Sequence, residues 1–138
     1  MTTSAAPVPT ASHELLDVAR HGLSRAATAP TAAERYAAAH LSALRAAAAV
    51  LASRARPSGG RRGPRSVWSV LPQVAPELGE WAAFFAAGAG KRAAAEAGLV
   101  GAVTSREADD LLRDATAFVA LAETTLGLPH QATFPMVG

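Results

Sequence analysis

The sequence predicts an all-α protein, an up-and-down bundle of about five helices. Three observations point there. Half of the residues are hydrophobic, yet alanine dominates and aromatics are only 5%, a composition suited to closely packed helices because alanine has the highest helix propensity. Apolar residues recur at helical spacing in long segments, and no stretch alternates with the period of two that a half-buried strand requires. Two Thr-x-x-Glu sequences, Thr31 with Glu34 and Thr104 with Glu107, have the form of capping boxes at helix starts.

Taken in order, residues 1–11 read as a flexible arm. Ser12 is the expected N-cap of a first helix running to about Ala27, with Leu15, Leu16, Ala19 and Leu23 as its apolar stripe. The second helix starts at the Thr31–Glu34 box, with Pro30 just outside, and continues to about Arg54. At about 100° per residue, Ala37, His40, Leu44, Ala48 and Leu51 share one face, with Glu34, Arg35, Ser42, Arg45, Ser53 and Arg56 on the other. Pro57 to Pro64 is too rich in Pro and Gly for regular structure. A short third helix opens near Ser66, carrying Trp68 and Leu71 before Pro72 disturbs it. Pro76 suits the first position of the fourth, with Glu77 and Glu80 favourable to its dipole. Leu78, Trp81, Phe84 and Phe85 make that helix the heaviest apolar segment, and with Trp68 they mark the expected core. Gly88 and Gly90 predict a bend there or the close approach of a neighbour, and Gly98 a stop. The last helix follows the Thr104–Glu107 box, with a stripe of Ala108, Leu111, Leu112, Ala115, Phe118, Val119, Ala122 and Leu126, and Gly127 and Pro129 end it. The bundle therefore spans residues 12–128, followed by a loose tail, 129–138.

Composition excludes several functions. There is no cysteine, so no disulfide scaffold, thiolate metal site or cysteine nucleophile. The first twelve residues lack a signal-peptide pattern. No apolar run approaches the roughly 18 residues that span a bilayer. A cytoplasmic protein without cofactor and without membrane contact is expected. The net charge of +2 is too small to specify a partner. The single lysine, Lys91, beside many arginines suggests a GC-rich genome.

The order of segments from Arg35 onward resembles a known family. Arg35-Tyr-Ala-Ala-Ala-His-Leu-Ser-Ala-Leu-Arg-Ala-Ala-Ala-Ala-Val-Leu-Ala52 is similar to the long helix of HEPN (higher eukaryotes and prokaryotes nucleotide-binding) domains. Three later stretches, Ser66–Pro72, Pro76–Ala87 and Arg106–Phe118, resemble its stand-alone actinobacterial branch, the SAV-type HEPN proteins. The resemblance covers residues 12–128. It implies a bundle of four or five helices, often dimeric, in a family many of whose members bind or cut RNA or nucleotides. Active members are metal-independent ribonucleases whose signature is Arg, four to six residues, then His, late in the domain.

Arg35 and His40 are the only pair at that spacing. A histidine can move the proton of an RNA 2′-hydroxyl while an arginine steadies phosphate charge. The pair lies early rather than late, however, and five helical residues rotate by about 140°, setting the two side chains on different faces. The chemistry would need opposed protomers of a dimer. Residues after His40 hold no histidine before His130, so the usual late motif is missing. His13, Asp17 and His21 lie at i, i+4 and i+8, a spacing that spreads ligands along the helix axis instead of converging them on a metal. Arg54, Arg56, Arg61, Arg62 and Arg65 fall within twelve residues that contain no acid. Such a segment neutralises phosphates without sequence preference. Gly88-Ala-Gly-Lys91 lacks the spacing and preceding strand of a phosphate loop. Arg106, Asp109, Asp110, Arg113 and Asp114 form a charge-paired helix face.

The expected function is therefore a non-catalytic HEPN-like module binding RNA or a nucleotide in a regulatory role. The alternatives are a dimeric ribonuclease using Arg35 and His40, and a protein-interaction bundle that forms a homodimer or joins a larger assembly.

Overall fold

The computed structural model describes residues 7–54 and 66–129. Within them the chain is all-α, with six helices: α1 (Thr10–Ala27), α2 (Ala32–Ser53), α3 (Val67–Val74), α4 (Gly79–Ala87), α5 (Ala89–Glu96) and α6 (Ser105–Thr125). A 3₁₀ turn, Pro76–Leu78, leads into α4. The four-residue link 28–31 folds α1 back along α2, and α6 packs against both. On its other flanks α2 meets α3 and α5. Helix α2 is thus the central rod of the bundle.

That position changes which residues of α2 are buried. Tyr36, Ala39, His40, Ala43, Ala46, Ala47, Ala49 and Val50 are buried, and so is Ser42, while Leu44 and Leu51 are only partly covered. Of the expected face, His40 is inside and the leucines sit at its margin. The reason is physical: in a helix so rich in alanine the two leucines dominate the periodicity, but alanine is what lets four neighbours approach. Ser42, expected outside, is enclosed between α2 and α1.

Helix α1 begins two residues before the expected Ser12 cap. Pro9 is its N-cap, its carbonyl accepting from the Ser12 and His13 amides at 3.0 and 3.2 Å. Ser12 is instead a fully buried residue whose hydroxyl donates to the Ala49 carbonyl at 2.8 Å, which stitches α1 to α2. The Thr31 hydroxyl accepts from the Glu34 amide at 3.1 Å. That is half of the expected box; the complete one forms at Thr104, where the Glu107 carboxylate also accepts from the Thr104 amide. Ser66 caps α3, which runs through Pro72 to Val74. A proline is tolerated there because only one ladder bond is lost in a helix of two turns.

The expected fourth helix is broken at Gly88 into α4 and α5. A Cβ at Gly88 would lie 2.7 Å from the Tyr36 hydroxyl and 3.5 Å from the His40 ring, so both readings of this glycine hold at once: the helix breaks and α2 comes close. The core is a cluster of rings. Trp68 stacks on Phe85 at 5.1 Å, and both meet Phe118, at 5.9 and 5.2 Å. Trp81 stacks on Phe85 at 5.8 Å and lies tilted against Phe118 at 5.6 Å. Phe84, expected in the centre, is 45% exposed, because it is one residue from Phe85 and points about 100° away.

Candidate functional site

His40 is the largest of the polar side chains that the fold encloses completely among the described residues. It is fully buried, between the rings of Tyr36 (6.2 Å, stacked), Trp68 (6.2 Å, edge-on) and Phe85 (5.8 Å, edge-on). Its Nε2 lies 2.8 Å from the Phe85 carbonyl and its Nδ1 lies 3.4 Å from Arg92 Nη1. A carbonyl only accepts and a guanidinium only donates, so the arrangement selects the neutral tautomer with the proton on Nε2. The charge balance agrees: burial, with Arg92 second among the lowering causes, holds the imidazole below its ordinary value of 6.5, against the opposing pull of the Phe85 bond and Glu96. Arg92 itself lies between His40 and Glu96, with Nε 3.6 Å from the Glu96 carboxylate. That Nε is buried without a hydrogen-bond partner.

Neighbouring polar groups extend this cluster toward α6. Burial raises the Tyr36 phenol above its usual value, with smaller and opposed effects from Lys91 and Glu107. Lys91 Nζ donates to Glu107 at 2.9 Å. This bond raises the lysine and lowers the carboxylate. Together they form a charged cap over the α2–α5–α6 junction.

Arg35 is held elsewhere. It pairs with Asp109 on α6 at 3.0 Å and donates to the Ala29 carbonyl at 3.4 Å. It closes the α1–α2 link onto α6 while His40 faces α4 and α5, so the two side chains do not share a substrate position within one chain. The histidine's converging arginine is Arg92, from another helix. Sequence reasoning missed it because the partners are 52 residues apart and no local spacing connects them.

Of the arginine-rich segment, Arg54 is described; Arg56, Arg61, Arg62 and Arg65 lie outside the described residues. Arg54 donates to the Val74 carbonyl at 3.0 Å and to Glu77 at 2.9 Å, and it holds the Glu77 carboxyl below the usual range. It is a strut between α2 and the start of the α4 region. On α1, the His21 Nδ1 lies 2.8 Å from the Asp17 backbone carbonyl, while the Asp17 carboxylate accepts from Arg20. No group of three metal-ligating side chains converges among the described residues. Arg20 also pairs with Glu123, a buried carboxylate on α6 that the sequence reading passed over because it continues the apolar stripe at Val119 and Ala122. The charges on α6 form the expected surface pairs, Asp110 with Arg113 at 2.9 Å and with Arg106 at 3.7 Å.

One open groove of about 830 Å³ lies between the α1–α2 link and the end of α5. It is lined by Arg25 of α1, by Ala33, Glu34, Ala37, Ala38 and Leu41 of α2, and by Glu96 of α5. No described helix is long and apolar enough to cross a membrane.

An all-α bundle with a long alanine-rich second helix and a capped last helix defines the class. The family model described as SAV_6107-like HEPN matches residues 26–123, and the chain belongs to that HEPN family. Neither the curated proteins nor the solved structures give a match.

Proposed function

We propose that this HEPN-family chain is a non-catalytic module that binds RNA or a nucleotide through the basic segment joining α2 to α3. The observation that carries the reading is the run of arginines without an intervening acid, tethered at both ends to ordered helices. The reading assigns phosphate to Arg56, Arg61, Arg62 and Arg65, since Arg54 is committed to Glu77 and Val74. The burial of His40 and the separate engagement of Arg35 weigh against the ribonuclease alternative, since neither group is presented to a 2′-hydroxyl. A general acid or base has to reach the proton that it moves.

A salt titration with a single-stranded RNA tests the reading. Counterion release makes log Kd linear in log salt, with a slope of about 0.7 per neutralised phosphate. Replacing the four arginines by serine should lower the slope by up to about 3 and weaken binding at least 10-fold at low salt. Unchanged affinity and slope in that variant sink the proposal. Cleavage of the RNA that disappears in His40→Gln, with the fold intact, would instead restore the enzyme.

A further inference from the structure

Helix α5 has eight residues, and Ala95 alone of them is buried. It starts at the Gly88 break and ends in a turn that holds Gly98 and Gly101 at positive φ and carries the exposed Leu99 and Val100. Isolated helices shorter than about 12 residues are marginal in water, so the order of α5 depends on what ties it to its neighbours. In its first turn the tie is Lys91, which donates to Glu107 of α6. In its middle the tie is Arg92, whose Nη1 donates to His40 Nδ1 of α2 at 3.4 Å. The second partner of Arg92, Glu96, lies one turn further along α5 itself. Arg92 and Glu96 therefore move with the helix as a unit.

The tie to His40 holds in one protonation state only. The Nε2 proton is committed to the Phe85 carbonyl at 2.8 Å, and what the guanidinium meets is the lone pair of Nδ1. A second proton on the ring has to go to Nδ1, where it faces a donor. The hydrogen bond is then replaced by two cations in contact, at a side chain that the core fully encloses. The other titratable or charged groups facing the ring are Tyr36, from α2 itself, and Glu96, from α5. Helices α3 and α4 present the rings of Trp68 and Phe85. A neutral phenol supplies no counter-ion, and Glu96 is already drawn to Arg92. We propose that α5 is a proton-released flap: uptake of a proton at His40 Nδ1 breaks the Arg92 contact and frees α5 from α2, while Lys91 and Glu107 hold its first turn and the ring cluster stays packed. The freed end carries Ala95 and Glu96 and leads into Gly98, all of which line the groove between α5 and the α1–α2 link. The same proton therefore opens that groove along its α5 side. The flap is independent of the arginine segment between α2 and α3.

Native-state hydrogen exchange of the full chain at about pH 7.5 and about pH 5.5, corrected for the intrinsic pH dependence of amide exchange, is the test. Both values lie above the ordinary carboxylate range, so the Lys91–Glu107 and Arg92–Glu96 pairs stay charged throughout. The α5 amides should exchange through an opening more populated than global unfolding. Its equilibrium constant should rise on acidification by up to about 10-fold, the limit for an imidazole that titrates near 6.5 when open and resists the proton when closed. In His40→Gln the rise should vanish. Should that variant fail to fold, Arg92→Met carries the same test: without the facing cation, α5 should open more readily at the higher pH and gain less on acidification. The imidazole nitrogen signals of the wild type give an independent readout, with Nδ1 unprotonated at the higher pH. Four results would each overturn the proposal. They are an α5 opening that ignores pH or rises equally in His40→Gln, α5 amides that exchange only together with those of α2, the full rise in Arg92→Met, and an Nδ1 that already carries the proton.

Discussion

At the scale of single residues, His40 shows how a side chain at a catalytic spacing in sequence can be enclosed by the core in space. Its ring fills a pocket among Tyr36, Trp68 and Phe85 and joins α2 to the end of α4. His40→Ala should cost about 3 kcal/mol in chemical denaturation, as other large-to-small core changes do. His40→Gln, which keeps a donor toward Phe85, should cost less. The imidazole is neutral when folded and its affinity for a proton is lowered by burial and by Arg92, with Tyr36 and Glu96 the other titratable groups facing it. The unfolded chain therefore binds the proton more readily below about pH 6.5. The stability contributed by His40 is complete above that pH and is lost as pH falls through the folded value. His40→Gln should flatten this part of the stability profile; an unchanged slope would mean that other groups set it. Gly88 adds a steric test. Gly88→Ala should destabilise by about 1–2 kcal/mol through overpacking, since the new methyl meets the Tyr36 hydroxyl. Tyr36→Phe in the same chain should recover much of the loss. The apolar setting of His40 was legible from the spacing on α2, but its partners were not, because Phe85 and Arg92 reach it only through tertiary packing.

At the scale of elements, what could be read in the sequence was whatever is encoded within a few residues. The Thr104–Glu107 box, the helix opening near Ser66 and the glycine stops at Gly98 and Gly127 are all local signals, and all are formed. The start of α1 was misplaced because Ser12 has the chemistry of a cap but uses its hydroxyl across helices, on Ala49. The leucines of α2 pointed to one face, whereas the number of helices around it made the alanines the interior. The two threonine caps can be compared directly. Thr31→Ala and Thr104→Ala each remove one bond from a first-turn amide to the threonine hydroxyl and should each cost about 1 kcal/mol, because the return bond at the second site is donated by the backbone amide of residue 104 and survives the substitution. Thermal unfolding of both variants checks this, and a markedly larger loss for Thr104→Ala would show that the hydroxyl and the Glu107 return bond act cooperatively.

At the scale of the molecule, the bundle is organised around a helix that touches most of the others, and that should determine how it opens. Helix α2 packs on α1, α3, α5 and α6, and nine of its residues are buried. Helix α5 has eight residues, of which Ala95 alone is buried, and it is separated from α4 by the Gly88 break. Local opening is easiest where few apolar contacts must be broken. The amides of α5 should therefore exchange through a low-energy opening, and those of α2 and the centre of α6 only when the whole chain unfolds. The Lys91–Glu107 bond and the His40–Arg92 contact are the polar ties that limit the α5 motion, so Lys91→Ala should speed exchange in α5 while leaving α2 unchanged. Native-state hydrogen exchange, measured residue by residue on a dilute sample, reads both effects. If α5 is as protected as α2, the bundle is one cooperative unit and the Gly88 break does not divide it. If α5 opens alone, the end of the molecule that carries the Leu99–Val100 turn can adjust without loosening the ring cluster of Trp68, Phe85 and Phe118.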